Sequence, residues 1–401
     1  LACKGLAVHG SADAVPDLAK LLGNERLASW ARIALEAIPD PACDAALRTS
    51  AAGLAGRPLV GVVNSLGARR DAGAVELLAR RLADDDAAVA SAAAISLGLI
   101  GGEAAVAAVR QAVTAKHPAV RDAAAEACVV CAEQMLAGGR GADAAALCDM
   151  VRAADVPPQR IAEATRGAIL ARGAAGVPLL VEQLRSADRR LFGIGLSVAR
   201  ELPGPDVDAA LAAEIGAAPP ARAALVVTAL ADRGGAVARK TLAAVAGRRD
   251  AARDVRLAAV LALGRMGDAE SLAPLLAAAA ESDTDLAAAA KTAVAELPAT
   301  GVDDAIRSRL AGAEAAALPL LLDLVARRRI ATAMPEVLVA VESSDKAART
   351  AALAALGETV DLDRLNVLVE RSIGSDDAGD SAAALAALRA ACVRMPDRDG
   401  C

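Results

Sequence analysis

The stretch at residues 235–267 restricts the fold more than any other part of this sequence, because it contains a helix that is apolar on nearly every side. Asp254–Gly264 is polar at its start and apolar almost throughout afterwards. A helix of this kind must be buried between neighbouring helices. The run before it is amphipathic, with Leu242 and Val245 on one face and Arg239 on the other. The unit is therefore an outer amphipathic helix followed by an inner buried helix, and it has to stack against similar units.

Glycines and short acidic turns are expected to separate the helices. Gly264 and Gly267 are predicted to end the inner helix of this unit. The pairs Gly101–Gly102 and Gly234–Gly235 follow predicted helices rather than strands, so we interpret them as helix ends and not as phosphate-binding loops. The turn at Asp84–Asp86 lacks the ligand spacing of a calcium loop, and a solvated turn with a helix cap is the better interpretation.

The same helix pair recurs along the chain. Leu35, Leu66 and Leu97, each near the end of a predicted inner helix, follow one another at intervals of 31 residues, and Leu230 and Leu263 are 33 apart. Such a period indicates a repeat array in which each unit buries its apolar face against the next. We therefore predict an all-α fold, a right-handed α-solenoid of about twelve helix pairs between residues 12 and 395.

The array is predicted to be continuous. No Pro, Ser and Gly linker divides residues 1–401, so we expect a single domain with a kink near residues 136–160, where 138–141 are rich in glycine. The chain begins at Leu1 in the middle of a helical pattern, and we expect its N-terminus to be truncated. No signal sequence is visible after Leu1, which leaves the compartment undecided.

Composition and charge exclude several partners. The chain has one Trp, one Phe and no Tyr, so it cannot build aromatic platforms for bases or sugars. Its net charge is +1 over residues 1–200 and −7 over residues 201–401, whereas a nucleic-acid interface needs a basic surplus. No apolar run approaches the ~20 residues that a membrane-spanning helix requires. We therefore expect neither a nucleic-acid partner nor a membrane span.

The repeats resemble the HEAT family, in the short form found in the phycobilisome-lyase HEAT-like group. In that form the inner helix often begins with Asp-Val-Arg and ends with Leu-Gly. Residues 254–256 together with Leu263–Gly264 match this pattern fully, and the partial matches are Val120–Arg121, Leu66–Gly67, Leu97–Gly98 and Leu356–Gly357. The resemblance extends over essentially the whole chain. It implies the α-solenoid architecture, whereas the repeat itself is reused for many unrelated partners.

A second resemblance is confined to residues 1–102. The segments 31–39 and 62–71 look like uncharacterised bacterial HEAT-repeat proteins, with Trp30 where those proteins usually carry Met. Many of them are exported through a signal peptide, which here would lie upstream of Leu1. This resemblance implies a periplasmic or exported protein, with a cytoplasmic one as the alternative.

No cluster of residues indicates catalysis. Cys128 and Cys131 form a CxxC inside an inner helix, and Cys148 lies in the next outer helix, but the further ligands of a zinc site are missing, so we interpret the cysteines as core residues. His9 and His117 have no triad around them, and we interpret His117 as a turn residue before a proline. HEAT-like iron hydroxylases bind metal through His-Glu pairs, and this sequence contains none. We expect no enzyme activity, no metal and no cofactor.

Polar residues on the inner helices are the candidate binding residues. Inner helices of such arrays line the concave side, where polar side chains can hold a partner by charge-assisted hydrogen bonds. The alternative for each arginine is an ion pair with a neighbouring repeat. The candidates are Arg32, Asn64, Arg121, Arg166, Arg190 and Arg256.

These observations predict a non-catalytic HEAT-repeat scaffold that binds another protein along its concave face. The alternative is a phycobilin-lyase-like accessory protein that binds a tetrapyrrole or a chromoprotein. That function needs His, Tyr or a reactive Cys in the groove, and the sequence offers few of them. A third possibility, a HEAT-type enzyme acting on DNA, is disfavoured by the scarcity of aromatic residues and the acidic balance.

Overall fold

The computed structural model describes residues 2–298 and 301–395, and these residues form helices without any strand. Short 3-10 turns precede several of the helices, for example Ala72–Ala74. The α-helices are α1 Ala2–His9, α2 Val15–Lys20, α3 Ala28–Ala37, α4 Pro41–Gly53, α5 Gly56–Ala68, α6 Val75–Arg81, α7 Ala87–Ile100, α8 Glu103–Ala112, α9 Pro118–Ala137, α10 Gly141–Arg152, α11 Pro158–Arg172, α12 Val177–Arg185, α13 Arg189–Glu201, α14 Pro205–Ala217, α15 Pro220–Arg233, α16 Gly235–Gly247, α17 Arg253–Met266, α18 Leu272–Ala279, α19 Thr284–Glu296, α20 Val302–Ala311, α21 Leu318–Arg328, α22 Met334–Val341, α23 Lys346–Thr359, α24 Asn366–Gly374 and α25 Ala378–Arg394.

The helices after α1 form the twelve predicted pairs. Each pair starts with an outer helix, α2 and every even-numbered helix up to α24, and ends with an inner helix, α3 and every odd-numbered helix up to α25. Consecutive inner helices contact one another, as α5 contacts α7 and α7 contacts α9, and as α21 contacts α23 and α23 contacts α25. The prediction of an all-α fold built from about twelve helix pairs is therefore confirmed.

The described helices belong to two compact units. The first unit is Leu1–Pro203, with α1 to α13, and the second is Gly204–Cys401, with α14 to α25. Residues 136–160 lie within the first unit, where α9, α10 and α11 contact one another. The single continuous array and the kink near 136–160 stay predictions.

The inner helices are buried as their composition predicts. Leu35, Leu66 and Leu97 are fully buried, and in α7 the neighbouring Ala92–Ala94 are buried too. Alanine contributes little bulk, so helices rich in it can approach closely on several sides. Some large apolar residues of the inner helices depart from this pattern, for example Leu261 of α17, which is 52% exposed.

The glycine of the Leu-Gly pattern lies inside the inner helix and does not end it. We expected Gly264 to be a helix stop, and this is wrong, because α17 continues to Met266. A Cβ on Gly264 would lie 2.9 Å from the Cα of Ala293 in α19, and a Cβ on Gly98 would lie 2.7 Å from the Cα of Ala127 in α9. Real Cβ atoms are essentially never found that close to another heavy atom. These glycines therefore let consecutive inner helices pack backbone to backbone.

The other predicted helix ends agree with the structure. Gly101 and Gly234 follow α7 and α15 with φ angles of 72° and 73°, a left-handed conformation that suits glycine. In the acidic turn, the Asp86 carboxylate accepts a hydrogen bond from the Ala88 N–H at 2.9 Å and caps α7. His117 caps α9 through its Nδ1, which accepts from the Ala119 N–H at 3.3 Å. The turn interpretations of 84–86 and His117 are confirmed.

An arginine at the end of some inner helices binds the last carbonyls of the preceding inner helix. Arg69, directly after α5, donates to the carbonyls of Leu35 and Ile38 at 2.8 Å each. Arg328 of α21 donates in the same way to the carbonyl of Val294, also at 2.8 Å. A cation at a helix C-terminus is stabilising, because the unpaired carbonyls there carry partial negative charge. These arginines therefore join one repeat to the next.

Candidate functional site

Four consecutive inner helices of the first unit carry, at one equivalent position, a side chain that is exposed on the first three helices and half-buried on the fourth. Each of these positions lies two residues before a fully buried residue, the buried set being Leu35, Leu66, Leu97 and Cys128. Ile33 is 46% exposed, Ile95 is 37% exposed, and Asn64 is exposed as well. Because equivalent positions on stacked helices share a face, these side chains lie on one face of the unit. We call this set the first-unit row, and it consists of Ile33, Asn64, Ile95 and Glu126.

The second unit repeats the arrangement on its own inner helices. Leu261 is 52% exposed and Leu385 is 42% exposed, which is unusual for leucines of inner helices. The equivalent exposed residues between and around them are Thr228, Thr292 and Ala354. Of these two sets, only Asn64 is predicted from the sequence, because the inner helices were expected to be buried all round. The detectable feature is a large apolar residue two positions before the buried leucine, as in Ile33, Ile95 and Leu261.

Two of the six predicted binding residues are exposed. Asn64 is part of the first-unit row on α5. Arg190 lies in the first turn of α13, where its backbone N–H donates to the Asp188 carboxylate at 2.7 Å and its side chain extends from an exposed position. Both side chains are therefore accessible to a partner.

Arg32 lies between two inner helices. From α3 it donates a hydrogen bond to the Gly61 carbonyl on α5 at 3.0 Å, and its guanidinium is 3.9 Å from Glu36. A Cβ on Gly61 would lie 2.7 Å from the Arg32 Nε, so the glycine provides the space for the guanidinium. Arg32 therefore ties α3 to α5.

Arg121 and Arg256 occupy equivalent positions near the starts of α9 and α17. Arg121 donates to the carbonyls of residues 115 and 116 at 3.2 Å and to the Asp155 carboxylate at 3.0 Å. Arg256 donates to the Ala246 carbonyl at 3.1 Å and to both oxygens of Glu281 at 2.9 and 2.7 Å. Arg256 therefore binds the C-terminal turn of its own outer helix and Arg121 binds the turn that follows its outer helix, and each also binds an acidic residue further along the chain.

The Arg256–Glu281 pair is the most enclosed of these contacts, with the two side chains 7% and 17% exposed. The hydrogen bonds from Arg256 lower the pKa of the Glu281 carboxyl, and the same bonds raise the pKa of Arg256. Arg349, which the sequence analysis did not select, makes the equivalent contacts with the Ser343 carbonyl at 3.0 Å and Asp380 at 2.7 Å. The Arg of the Asp-Val-Arg pattern thus has a structural role.

Arg166 takes part in a charged network across α9, α11 and α13. It donates to Glu201 at 2.6 Å and lies 3.9 Å from Glu133. One and a half turns earlier on α11, Arg160 donates to Asp122 at 2.8 Å and also contacts Glu126 of the first-unit row. Arg160 was missed by the sequence analysis. The acidic residues outnumber the arginines in this network, so the C-terminal part of the row is acidic.

The six predicted residues are distributed over both units. They lie on α3, α5, α9, α11, α13 and α17, and the first five of these helices belong to the first unit while α17 belongs to the second. Four of the arginines have the intramolecular partners described above, namely Arg32, Arg121, Arg166 and Arg256. Asn64 and Arg190 are the two predicted residues that are exposed.

The three central cysteines lie in the core of the first unit. Cys128, Cys131 and Cys148 are each at most 1% exposed, and the Cys131 thiol lies 3.7 Å from the Gly98 carbonyl, to which it can donate. Burial raises the pKa of Cys128 to about 12 and the pKa values of Cys131 and Cys148 to about 11. A thiol reacts through its thiolate, so these cysteines are unreactive near neutral pH.

Two further properties concern the described part of the chain only. Within residues 2–298 and 301–395, no three His, Cys, Asp or Glu side chains are grouped in a way that could hold a metal ion. Among the helices of these same residues, none has both the length and the apolar character needed to cross a membrane.

Comparison with known families gives a match over part of the chain. Residues 60–129, from α5 to α9, match the family described as HEAT repeats. This segment is similar to HEAT repeats. The HEAT-repeat segment contains Asn64, Ile95 and Glu126 of the first-unit row, together with the contact between Gly98 and Ala127. No curated protein matches the chain.

Solved structures with a similar arrangement of helices include yeast importin-beta, Kap95p, which is 12% identical, with 96% of this chain and 64% of that chain covered and a TM-score of 0.47. Kap121p bound to Ste12p is 9% identical, with coverages of 96% and 54% and a TM-score of 0.46. Human deoxyhypusine hydroxylase in complex with glycerol is 19% identical, with coverages of 71% and 96% and a TM-score of 0.30. The chain spans less than two thirds of the two Kap proteins. At these identities the similarity is limited to helical architecture.

Proposed function

We propose that this chain is a non-catalytic HEAT-repeat scaffold that binds another protein through the first-unit row. The observation that carries the proposal is the exposure of Ile33 and Ile95 at equivalent positions of inner helices. Burying an isoleucine side chain stabilises a complex by about 1.5–3 kcal/mol before the costs of association are subtracted. Two such side chains on one face are a useful contribution to a protein interface.

The surroundings of the two isoleucines suit a protein partner. Trp30, one turn before Ile33, is 41% exposed, and tryptophan is among the residues that contribute most to binding at interfaces. Asn64 adds a donor and an acceptor between the two isoleucines, and Glu126 adds charge at the acidic end. Interfaces between proteins usually combine apolar side chains with polar ones, as this row does.

The non-catalytic part of the proposal is supported by the state of the potential nucleophiles. The thiols of Cys128, Cys131 and Cys148 are buried and have raised pKa values, and the His117 ring serves as a helix cap. None of these groups belongs to the first-unit row. We therefore assign the row to binding.

The test is affinity capture from an extract of the cells that produce the protein. The double variant Ile33→Asp/Ile95→Asp places charge on the row, and Val237→Asp is its control, because Val237 is 45% exposed on the outer helix α16. A protein partner retained in stoichiometric amount by the wild type and by the control should bind the double variant about tenfold more weakly or worse.

Three results would contradict the proposal. One is equal retention of the partner by the double variant. The others are a bound metal, or a chromophore that gives the purified protein an absorption band above the protein band; the chromophore would favour the tetrapyrrole-binding alternative. Thermal unfolding of the variants, which change only exposed or partly exposed positions, establishes that they are folded.

A further inference from the structure

The second unit contains a cleft on its outer helices, away from the inner-helix positions described above. It lies between the end of α20, the loop that leads to α21, and α22 with the turn that follows it. Its volume is 710 Å³. The residues that matter for its chemistry are Leu310, Leu318, Pro335, Val339, Glu336 and Glu342.

The apolar part of the cleft is centred on Val339. This side chain is 75% exposed, while Val337 and Val341 on the same helix are buried. An exposed valine alone has little meaning, since single apolar residues are common on surfaces. Here Val339 lines the same cleft as the half-buried Leu318 and the buried Leu310, so the exposed valine lies beside further apolar side chains in a concave site.

The acidic part of the cleft has hydrogen-bonding capacity that the described residues leave unused. Glu336 accepts a hydrogen bond from Arg307 at 3.0 Å through Oε1, whereas its Oε2 is buried and has no partner among the described residues. Buried carboxylate oxygens without a donor are rare and unfavourable. A donor supplied by a partner would satisfy Oε2.

Glu342 adds a second carboxylate at the edge of the cleft. It is 72% exposed and is paired with Arg371 of α24. An ion pair this exposed contributes little and can be shared with another cation. The two charged side chains that line the cleft, Glu336 and Glu342, are therefore both carboxylates, and the arginines that pair with them are not among its lining residues.

We propose that this cleft binds a segment of a partner protein that carries a large apolar side chain next to a Lys or Arg. The apolar side chain packs on Val339, and the cation donates hydrogen bonds to Glu336 and Glu342. This contact is independent of the first-unit row, because it lies on the outer helices of the other unit. The chain is then a scaffold with two separate docking surfaces.

The probe for this proposal is a library of random peptides of about 12 residues, selected on the full chain and counter-selected on the Val339→Asp variant. We expect the enriched sequences to share a large apolar residue with a Lys or Arg close to it. The affinity of an enriched peptide, measured by fluorescence anisotropy, should fall about tenfold or more for Val339→Asp and by a smaller factor for Glu336→Gln. The Ile33→Asp/Ile95→Asp variant is the matched control and should bind the peptide as the wild type does.

Several outcomes would overturn the proposal. They are enrichment of peptides without basic residues, equal binding by the wild type and Val339→Asp, and no enrichment on the wild type. A concentration-dependent dimer that Val339→Asp abolishes would also overturn it, because a second copy of the chain would then occupy the cleft. If Val339→Asp impairs folding, Val339→Ser tests the same contact with a smaller change. Loss of peptide binding in the Ile33→Asp/Ile95→Asp control would likewise count against two independent surfaces.

Discussion

The substitution Gly98→Ala tests whether the inner helices are held backbone to backbone. The new Cβ would lie 2.7 Å from the Cα of Ala127, 2.8 Å from its Cβ and 3.1 Å from its carbonyl oxygen. Two of these three atoms belong to the backbone of α9, so no side-chain rotation can relieve the contact. Overpacking of a core costs about 1–3 kcal/mol, and a contact with backbone belongs at the upper end of that range.

The gain from replacing glycine in a helix opposes this cost. Alanine is favoured over glycine inside a helix by about 1 kcal/mol. We therefore expect Gly98→Ala to destabilise the region around α7 and α9 by about 1–2 kcal/mol net. Gly193→Ala is the control, because Gly193 lies inside α13 and a Cβ there would have no atom within 4 Å. That variant should be stabilised by about 0.5–1 kcal/mol.

Native-state hydrogen exchange measured by mass spectrometry resolves the two effects, because it reports the opening free energy of each helix separately. Amides of α7 and α9 should exchange faster in Gly98→Ala, and amides of α13 should exchange more slowly in Gly193→Ala. Helix α23 of the second unit serves as the internal reference. Unchanged or slower exchange in α7 and α9 of Gly98→Ala would refute the reasoning from contact distance.

Two further predictions concern buried polar and thiol groups. Glu281→Gln should lower the free energy of unfolding by about 1–3 kcal/mol at pH 7, because Arg256 keeps its burial and loses a charged partner. The folded-state pKa of Glu281 is lowered, so the difference in unfolding free energy between variant and wild type should be fully present above the ordinary glutamate pKa of about 4.3. It should decrease as the pH falls through the folded-state pKa. Urea unfolding at several pH values measures this difference, and a constant value would contradict the prediction. In the folded protein, Cys128 and Cys131 should resist labelling by iodoacetamide at pH 8, as measured by intact mass. Joint replacement of the two cysteines by Ala should lower the free energy of unfolding by about 1–2 kcal/mol without loss of partner binding. Rapid labelling of the folded protein, or a bound metal that the double variant loses, would show the core interpretation to be wrong.

The architecture could be predicted because it depends on local and periodic features. An amphipathic helix and a helix apolar on nearly all sides, repeated every 31 to 33 residues, have few ways to bury their surface other than stacking. The role of Gly264 could not be read from the sequence in the same way. A glycine near a helix end resembles a stop, and only the position of Ala293 on the neighbouring helix reveals that the glycine provides space.

The candidate site was harder to predict, because it depends on which side of each inner helix faces solvent. Arg32 and Arg256 are polar residues on inner helices, and such residues suggest a binding surface until the carbonyls and carboxylates near them are known. The exposed isoleucines have the opposite problem, since an apolar residue in an apolar helix suggests the core. Exposure of Ile33 and Ile95 follows from the three-dimensional stacking of α3, α5 and α7, and its trace in the sequence is their position two residues before a buried leucine.

The backbone contact at Gly98 also sets the spacing between neighbouring positions of the first-unit row, and a partner of the first unit has to match that spacing. Helices that touch through glycine and alanine run at the short end of the usual interaxial range of about 8–10 Å. Neighbouring side chains of the row, such as Ile95 and Glu126, are therefore separated by about that interaxial distance. A partner helix lying along the row rises about 1.5 Å per residue, so its contacts with successive positions should recur about every five to six residues.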